Sequence, residues 1–226
     1  MHGGRGLALQ DQKSGLVGNL RGVARRRARH LKDRSIESEL KFRVSGPKAH
    51  ARLRTALRKR GAKLEGRYRE ENYRFNGPGK STQKTTLRLR VLDGGPRGVL
   101  TAKGPARFEG HVKTREETEV AVTDAHATLD LLLQLGFQIA VIYPKRRAMW
   151  LLDGVAVTLD VLEYGYFIEL EGPLDVLPEM ARSLGLNPNR GLRDSYSVMA
   201  RKYARTKRVS TAPVTPLELR PVVAPA

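Results

Sequence analysis

No cysteine occurs among the 226 residues, which excludes disulfides and Cys-ligated zinc or iron sites. No apolar run approaches the ~20 residues that span a bilayer, and the opening segment lacks the apolar stretch of a secretory signal. A cytoplasmic protein with no membrane partner is the expectation. Histidine is sparse: His2, His30, His50, His111 and His126 show no metal-ligand spacing and read as surface residues. The rest is 40% apolar and 29% charged, the balance of a folded domain, and the length suits one such domain.

The two ends carry much of the +19 net charge. Residues 1–34 hold nine Lys/Arg and two acids, and residues 205–226 hold four basic residues and one acid. The span 35–204 keeps 29 basic and 20 acidic residues, a net +9. The first segment reads as a disordered basic arm without specific spacing, so no nucleic-acid partner is assigned on its account. The Pro- and Ala-rich end, residues 205–226, reads as a flexible tail. The basic body points to an anionic partner.

Ser35–Val44 alternates apolar and polar residues and reads as a strand. Pro47 opens an amphipathic helix to about Arg60, with Gly61 just past its end. Strand-like runs follow near 67–75, 85–92, 98–103 and 112–122, with the turn sequence Asp93-Gly94-Gly95-Pro96 before the third. Asp124 suits the N-cap of a helix reaching Gly136. Three more strands fit 139–151, 154–163 and 165–172, with Asp153-Gly154 as a hairpin turn. Helices fit 174–184 and 194–204. About eight strands with no βαβ rhythm argue for an antiparallel α+β fold.

Residues two apart in a strand share a face. Glu37, Glu39 and Lys41 therefore oppose Ile36, Leu40 and Phe42. The device recurs: Arg88 and Arg90 oppose Leu87, Leu89 and Val91, and Arg115, Glu117 and Glu119 share another face. Lys145 pairs with Arg147, Asp160 stands against Leu159 and Val161, and Glu169 and Glu171 stand against Ile168 and Leu170. Lys103 ends a strand whose other face carries Leu100 and Ala102. Two arrangements satisfy this pattern. An open sheet would wet its charged face, whereas a closed one would hold the charges inside and leave no edges. Alternation by itself leaves the two level.

A charged interior must be neutralised. Clustered carboxylates suit a hard cation such as Mg2+ or Mn2+, and clustered Arg and Lys suit phosphate oxygens. Rows of both in one cavity suit a metal–polyphosphate complex, handled by positioning and charge stabilisation.

The stretch IESELKFRV carries the Glu-x-Glu-x-Lys pattern, and TLRLR, LTAKGP, TREETEV, PKRR, VTLDVLEYGYFIELEGP and DSYSVMARKY follow in order. In these strings residues 35–204 resemble the CYTH proteins, also called triphosphate tunnel metalloenzymes. The resemblance implies an eight-stranded antiparallel closed barrel, a tunnel with a charged interior and helices packed outside. It implies Mg2+ or Mn2+ at Glu37, Glu39, Asp160, Glu169 and Glu171, with a second metal at Glu117 and Glu119. Lys41, Arg88, Arg90, Lys103, Arg115, Lys145 and Arg147 would bind the triphosphate, with Lys41 and Glu39 in catalytic roles. Lys202 would reach the cavity from the last helix, and a homodimer is compatible with the resemblance.

The strings look most like the bacterial class IV adenylyl cyclase branch, which would convert ATP to cyclic AMP and pyrophosphate. Hydrolysis of inorganic or thiamine triphosphate needs the same residues without an adenine pocket, and stays open. So does a non-catalytic polyphosphate or RNA-end binding protein, although the many acids argue against pure binding. Other features are demoted. Gly77-Pro78-Gly79-Lys80-Ser81-Thr82 resembles the end of a P-loop, but Arg74 stands where its first glycine belongs and a strand follows it. Trp150 and Tyr143 read as packing residues, and Ser195 as a helix cap.

Overall fold

A computed structural model describes residues 35–79 and 85–207 of the protein. Residues 1–34, expected as a basic arm, residues 80–84, and residues 208–226, most of the expected tail, lie outside the described residues. In chain order the elements are β1 (Ser35–Val44), α1 (Pro47–Lys59), β2 (Lys63–Asn76), β3 (Thr86–Leu92), β4 (Gly98–Lys103), β5 (Arg107–Glu109) and β6 (Val112–Val122). There follow α2 (Ala125–Gln134), β7 (Gln138–Leu152), β8 (Val155–Leu162), β9 (Gly165–Glu171), α3 (Leu177–Ser183) and α4 (Tyr196–Thr206).

The strands form one antiparallel sheet in the order β1-β9-β8-β7-β2-β3-β4-β6, and β6 pairs with β1 again. That last pairing closes the ring. It decides between the two arrangements that alternation left level, because a closed barrel exposes no edge and must seal one face of every strand inside. The three-residue β5 hangs on the start of β6. It is too short to show an alternation and has no counterpart in the sequence reading.

Local chemistry sets the element ends as expected. Asp124 caps α2 by accepting from the Ala127 backbone N–H, and Ser195 caps α4 by accepting from Val198 N–H. Asp153 and Gly154 both take positive φ, 48° and 79°, as a two-residue hairpin turn of primed type requires. At Gly98 a Cβ would lie 2.6 Å from the Arg90 carbonyl oxygen and 2.9 Å from the Ala125 Cβ, so glycine lets α2 start directly against the sheet. Several boundaries differ from expectation, β2 starting at Lys63 and not near residue 67. Val176 N–H bonds to Pro173 O, a turn that delays α3 to Leu177. In turn α4 continues through Arg205 and Thr206, which the sequence assigns to the tail.

The outer faces are apolar and packed under helices. Leu53 and Leu57 of α1 and Leu177 and Met180 of α3 cover Leu40, Phe42, Trp150, Val157 and Leu170. Leu129 and Leu132 of α2 cover Tyr73, Phe75, Leu89 and Val91. Each such fully buried side chain contributes about 1.5–3 kcal/mol, which helps to offset the cost of enclosing charge. The third cluster is different in kind. Tyr143, Leu162 and Phe167 stand at inward positions, on the same strand faces as Lys145, Asp160 and Glu169, and they pack against Tyr196, Met199 and Ala200 of α4. Helix α4 therefore stops one end of the barrel with apolar side chains.

His50 corrects the expectation of surface histidines. It is buried, with Nε2 2.9 Å from the Phe167 carbonyl oxygen and its ring edge-on to Tyr166. The helical period places it on the inward face of α1 beside Leu53 and Leu57.

Candidate active site: a lumen of paired acids and bases

Alternation along each strand sends one charged row into the lumen. The acids there are Glu37, Glu39, Glu70, Glu117, Glu119, Asp160, Glu169 and Glu171. The bases are Lys41, Arg88, Arg90, Lys103, Lys113, Arg115, Lys145 and Arg147. Fourteen of the fifteen residues that the sequence analysis expects in the cavity are among them; Lys202 is the exception. The rows named hold eight acids and eight bases, and Arg43 and Arg74 lie on the same inward strand faces nearer α4. Acids and bases interleave around the barrel wall, so the arrangement of charges, not a uniformly basic lining, distinguishes this cavity.

Sequence reasoning missed Glu70 and Lys113. Glu70 adjoins Glu71 in an irregular run, but Tyr73 and Phe75 mark the outer face and by parity turn Glu70 inward. Lys113 stands two residues before Arg115, Glu117 and Glu119, and extending that face by one step finds it.

One group of acids converges. Carboxylate oxygens of Glu39, Glu169 and Glu171 lie within 4.8 Å of one another. The register Glu39↔Glu171 and Lys41↔Glu169 across β1 and β9 brings them together. Burial, together with Glu169 and Glu39, pushes the Glu171 carboxyl up although Arg147 opposes the shift. Burial pushes Glu37 up to about 10, helped by Glu171 and by a hydrogen bond with Glu117. Burial would also raise Glu39, but Lys41, Lys113 and Arg115 hold it well below the usual carboxylate range. Beside this group Thr158, opposite Glu169, keeps a buried Oγ1 with no hydrogen-bond partner. Three crowded carboxylates and an orphaned hydroxyl, with no nitrogen or sulfur donor, fit a hard divalent cation such as Mg2+ or Mn2+.

Asp160 is not in that group. It is fully buried, its two oxygens accept from Arg147 Nε at 2.8 Å and Nη2 at 2.6 Å, and it also accepts from the Tyr196 hydroxyl at 2.9 Å. Its role in this structure is to fix Arg147, which also pairs with Glu169. Glu117 likewise is engaged by Lys103 and Arg115, and Glu119 by Thr101 and Arg88.

The cations form a graded row. Lys41 Nζ sits 3.1 Å from Glu169 and 4.2 Å from the centre of the Tyr196 ring. Lys145 Nζ sits 2.9 Å from Glu70. Burial and then the neighbouring Arg147 push Lys145 down to about 8. Burial would raise Glu70, but Lys145, Arg90 and Arg147 outweigh it and bring it to about 2. Arg88 keeps a buried Nε without a partner, a donor aimed into the lumen. Near α4 the side chains of Lys145 and Asp160 are 2% and 0% exposed. Glu37 and Glu119, toward the other end, are each 32% exposed. The lumen is dry where α4 stops it and wet at the opposite mouth.

A family model for the CYTH domain matches residues 35–196. This chain belongs to the CYTH family. Similar proteins include a candidate adenylate cyclase of Methanocaldococcus jannaschii, 27% identical over 71% of this chain and 96% of that one. Among solved structures, the PH1819 protein of Pyrococcus horikoshii is 28% identical, with a TM-score of 0.60 over 74% of this chain and 99% of that one. A candidate adenylyl cyclase of Hippeastrum, described as having a dominant triphosphatase activity, shares the fold at 20% identity. Its TM-score is 0.59, over 80% of this chain and 99% of that one.

Within the CYTH fold one expected contributor stays outside the lumen. Lys202 is exposed on α4 and pairs with Asp194 at 2.6 Å. The face of α4 that meets the lumen carries Tyr196 instead. Among the described residues no helix is long and apolar enough to cross a membrane.

Proposed function

We propose that the lumen is the active site of a divalent-metal-dependent enzyme that converts ATP to cyclic AMP and pyrophosphate, a class IV adenylyl cyclase. The observation that carries a triphosphate reading is one lumen holding both the Glu39–Glu169–Glu171 cluster and a row of eight Lys and Arg. A row of acids alone would repel the polyanion, and a row of bases alone would bind it without the means to activate a nucleophile.

A nucleotide is favoured over a bare triphosphate by the wet mouth. Tyr68, Leu92, Val99 and Met149 occupy inward positions there and are half-buried. They form an apolar collar of the kind a base requires, outside the charged zone. The name of the M. jannaschii relative agrees with this reading.

In the reaction the ribose 3′-oxygen forms a bond to the α-phosphorus as the bond from that phosphorus to the β-bridging oxygen breaks. Pyrophosphate leaves with the electron pair, and the hydroxyl proton passes to solvent water at the open mouth. Glu39, Glu169 and Glu171 would hold a divalent cation, which when bound would supply acidification of the hydroxyl and neutralisation of phosphate charge. Lys41 and Arg147 offset charge that grows on the leaving pyrophosphate, and they do so in a dry site where such charges act strongly. Asp160 and Tyr196 keep Arg147 and Lys41 in place, so little reorganisation is needed at the moment of reaction. Glu39 and Lys41 act as the catalytic pair: Glu39 would help to hold the cation, and Lys41 steadies the phosphate.

Terminal-phosphate hydrolysis is the second reading, favoured by the dry cation group at the closed end, which suits a terminal phosphate. Incubation with Mg2+ or Mn2+ and, separately, ATP, inorganic triphosphate and thiamine triphosphate separates the two. Cyclic AMP with pyrophosphate supports the cyclase. Orthophosphate from inorganic or thiamine triphosphate, without cyclic AMP from ATP, replaces it with the hydrolase.

A further inference from the structure

Lys113 lies at the start of β6, where β5, β6 and β1 meet, and Ser38 and Thr114 hydroxyls hydrogen-bond across β1 and β6 at 3.0 Å. Its side chain is buried, and its Nζ donates to Glu39 Oε1 at 2.5 Å. Glu39 is a member of the three-carboxylate cluster. Among the described residues Glu39 is the one carboxylate that Lys113 pairs with. Its other charged neighbours, Lys41 and Arg115, are both cations.

Two facts follow from this geometry. An ammonium bonded to Glu39 Oε1 puts positive charge on the carboxylate that a divalent cation would share, and like charges in a dry site repel strongly. Once displaced, the ammonium is left buried beside two cations, a position that is costly unless an anion arrives.

We propose that Lys113 is a resident counter-cation of the metal site and a positioning residue for the phosphate chain. It holds Glu39 in the empty lumen, and it turns to a phosphate oxygen when either ligand arrives, because a divalent cation displaces it from that carboxylate and a triphosphate draws it away. Metal and triphosphate binding are then coupled through one side chain: each ligand removes the obstacle to the other, and the coupling is reciprocal by linkage. This inference rests on the metal-and-triphosphate reading of the lumen but not on which reaction follows.

The test uses binding to the full-length protein, without turnover. Mn2+ alone is titrated and followed by the loss of free-ion EPR signal; inorganic triphosphate alone is titrated calorimetrically in metal-free, chelator-treated buffer. Lys113→Met, close in shape and uncharged, is expected to bind Mn2+ about tenfold more tightly than the natural protein and triphosphate about tenfold more weakly. Lys113→Arg keeps the charge and is expected to retain the weak Mn2+ binding. Lys113→Gln repeats the test should the Met variant not fold. A merely structural role predicts weaker binding of both ligands, so the opposite movement of the two affinities is diagnostic. Equal Mn2+ affinity in the natural and charge-removed proteins, including no binding by either, overturns the proposal. Absence of turnover with these binding shifts intact sinks the catalytic reading and leaves this one standing; turnover with unchanged affinities does the reverse.

Discussion

Glu70 on β2 and Lys145 on β7 face each other in register, carboxylate to ammonium at 2.9 Å, and their side chains are almost wholly buried. The pair is the hinge of the cation row, because Glu70 also lies 3.3 Å from Arg90 and within 3.9 Å of Arg147. Three cations share one carboxylate.

Glu70→Gln is therefore expected to destabilise the protein by about 3–5 kcal/mol, the usual cost of removing one partner from a buried ionic cluster. Inorganic triphosphate should restore part of the loss by supplying the missing negative charge. Thermal melts with and without the ligand read both effects. An unchanged melting temperature without ligand would contradict this account of the cluster.

Stability should fall in acid, with the direction set by the depressed carboxyls. Glu70 titrates at about 2 in the fold against an ordinary 4.5, so its contribution is fully present above about pH 4.5 and is lost as pH falls toward 2. Asp160 is shifted in the same direction by Arg147 and Lys145, against the opposing effect of burial. Loss of the Glu70 contribution alone amounts to about 3 kcal/mol. Denaturant midpoints at pH 6, 4 and 3 check it, and Glu70→Gln should flatten the curve.

Triphosphate affinity should weaken in alkali. Lys145 titrates at about 8 in the ligand-free lumen, so its ammonium is present below that value and disappears as pH rises through it. A bound polyanion raises the value again, and binding at pH 8.5–9 must take up a proton. The dissociation constant is expected to rise by up to about tenfold per pH unit in this range. Calorimetry in two buffers of different ionisation enthalpy measures the proton uptake directly, and Lys145→Met should abolish the slope.

Glu39→Gln and Glu171→Gln remove charge from the candidate metal cluster while keeping its shape. Turnover is expected to fall by about 10²–10³-fold or more, the scale of losing one preorganised charge-stabilising group. Circular dichroism should remain that of the folded barrel. Full activity in both variants would sink the metal assignment.

Strand parity makes most of the lumen legible in the sequence. Glu37, Glu39 and Lys41 reveal their common face because the side-chain period of a strand is two and Leu40 and Phe42 mark the other side. The same argument places Arg88, Arg90, Lys145, Arg147, Glu169 and Glu171. It succeeds for all of them because it needs only local geometry. It falters at Glu70, where two acids are adjacent, and at His50, whose helical face is decided by what it packs against.

Alternation thus determined the two faces of each strand, and the ordered CYTH strings pointed to the closed barrel that the faces alone left undecided. Which acid meets which base was beyond the sequence. Glu39 meets Glu169 and Lys113, Glu70 meets Lys145, and Asp160 meets Arg147 and Tyr196. Those partners come from distant strands or from α4, and only the β1–β6 closure and the register of neighbouring strands bring them within a few ångströms. The structure shows Asp160, expected as a metal ligand, clamping Arg147. It also put Lys113, absent from the expected set, on the carboxylate that a metal would take.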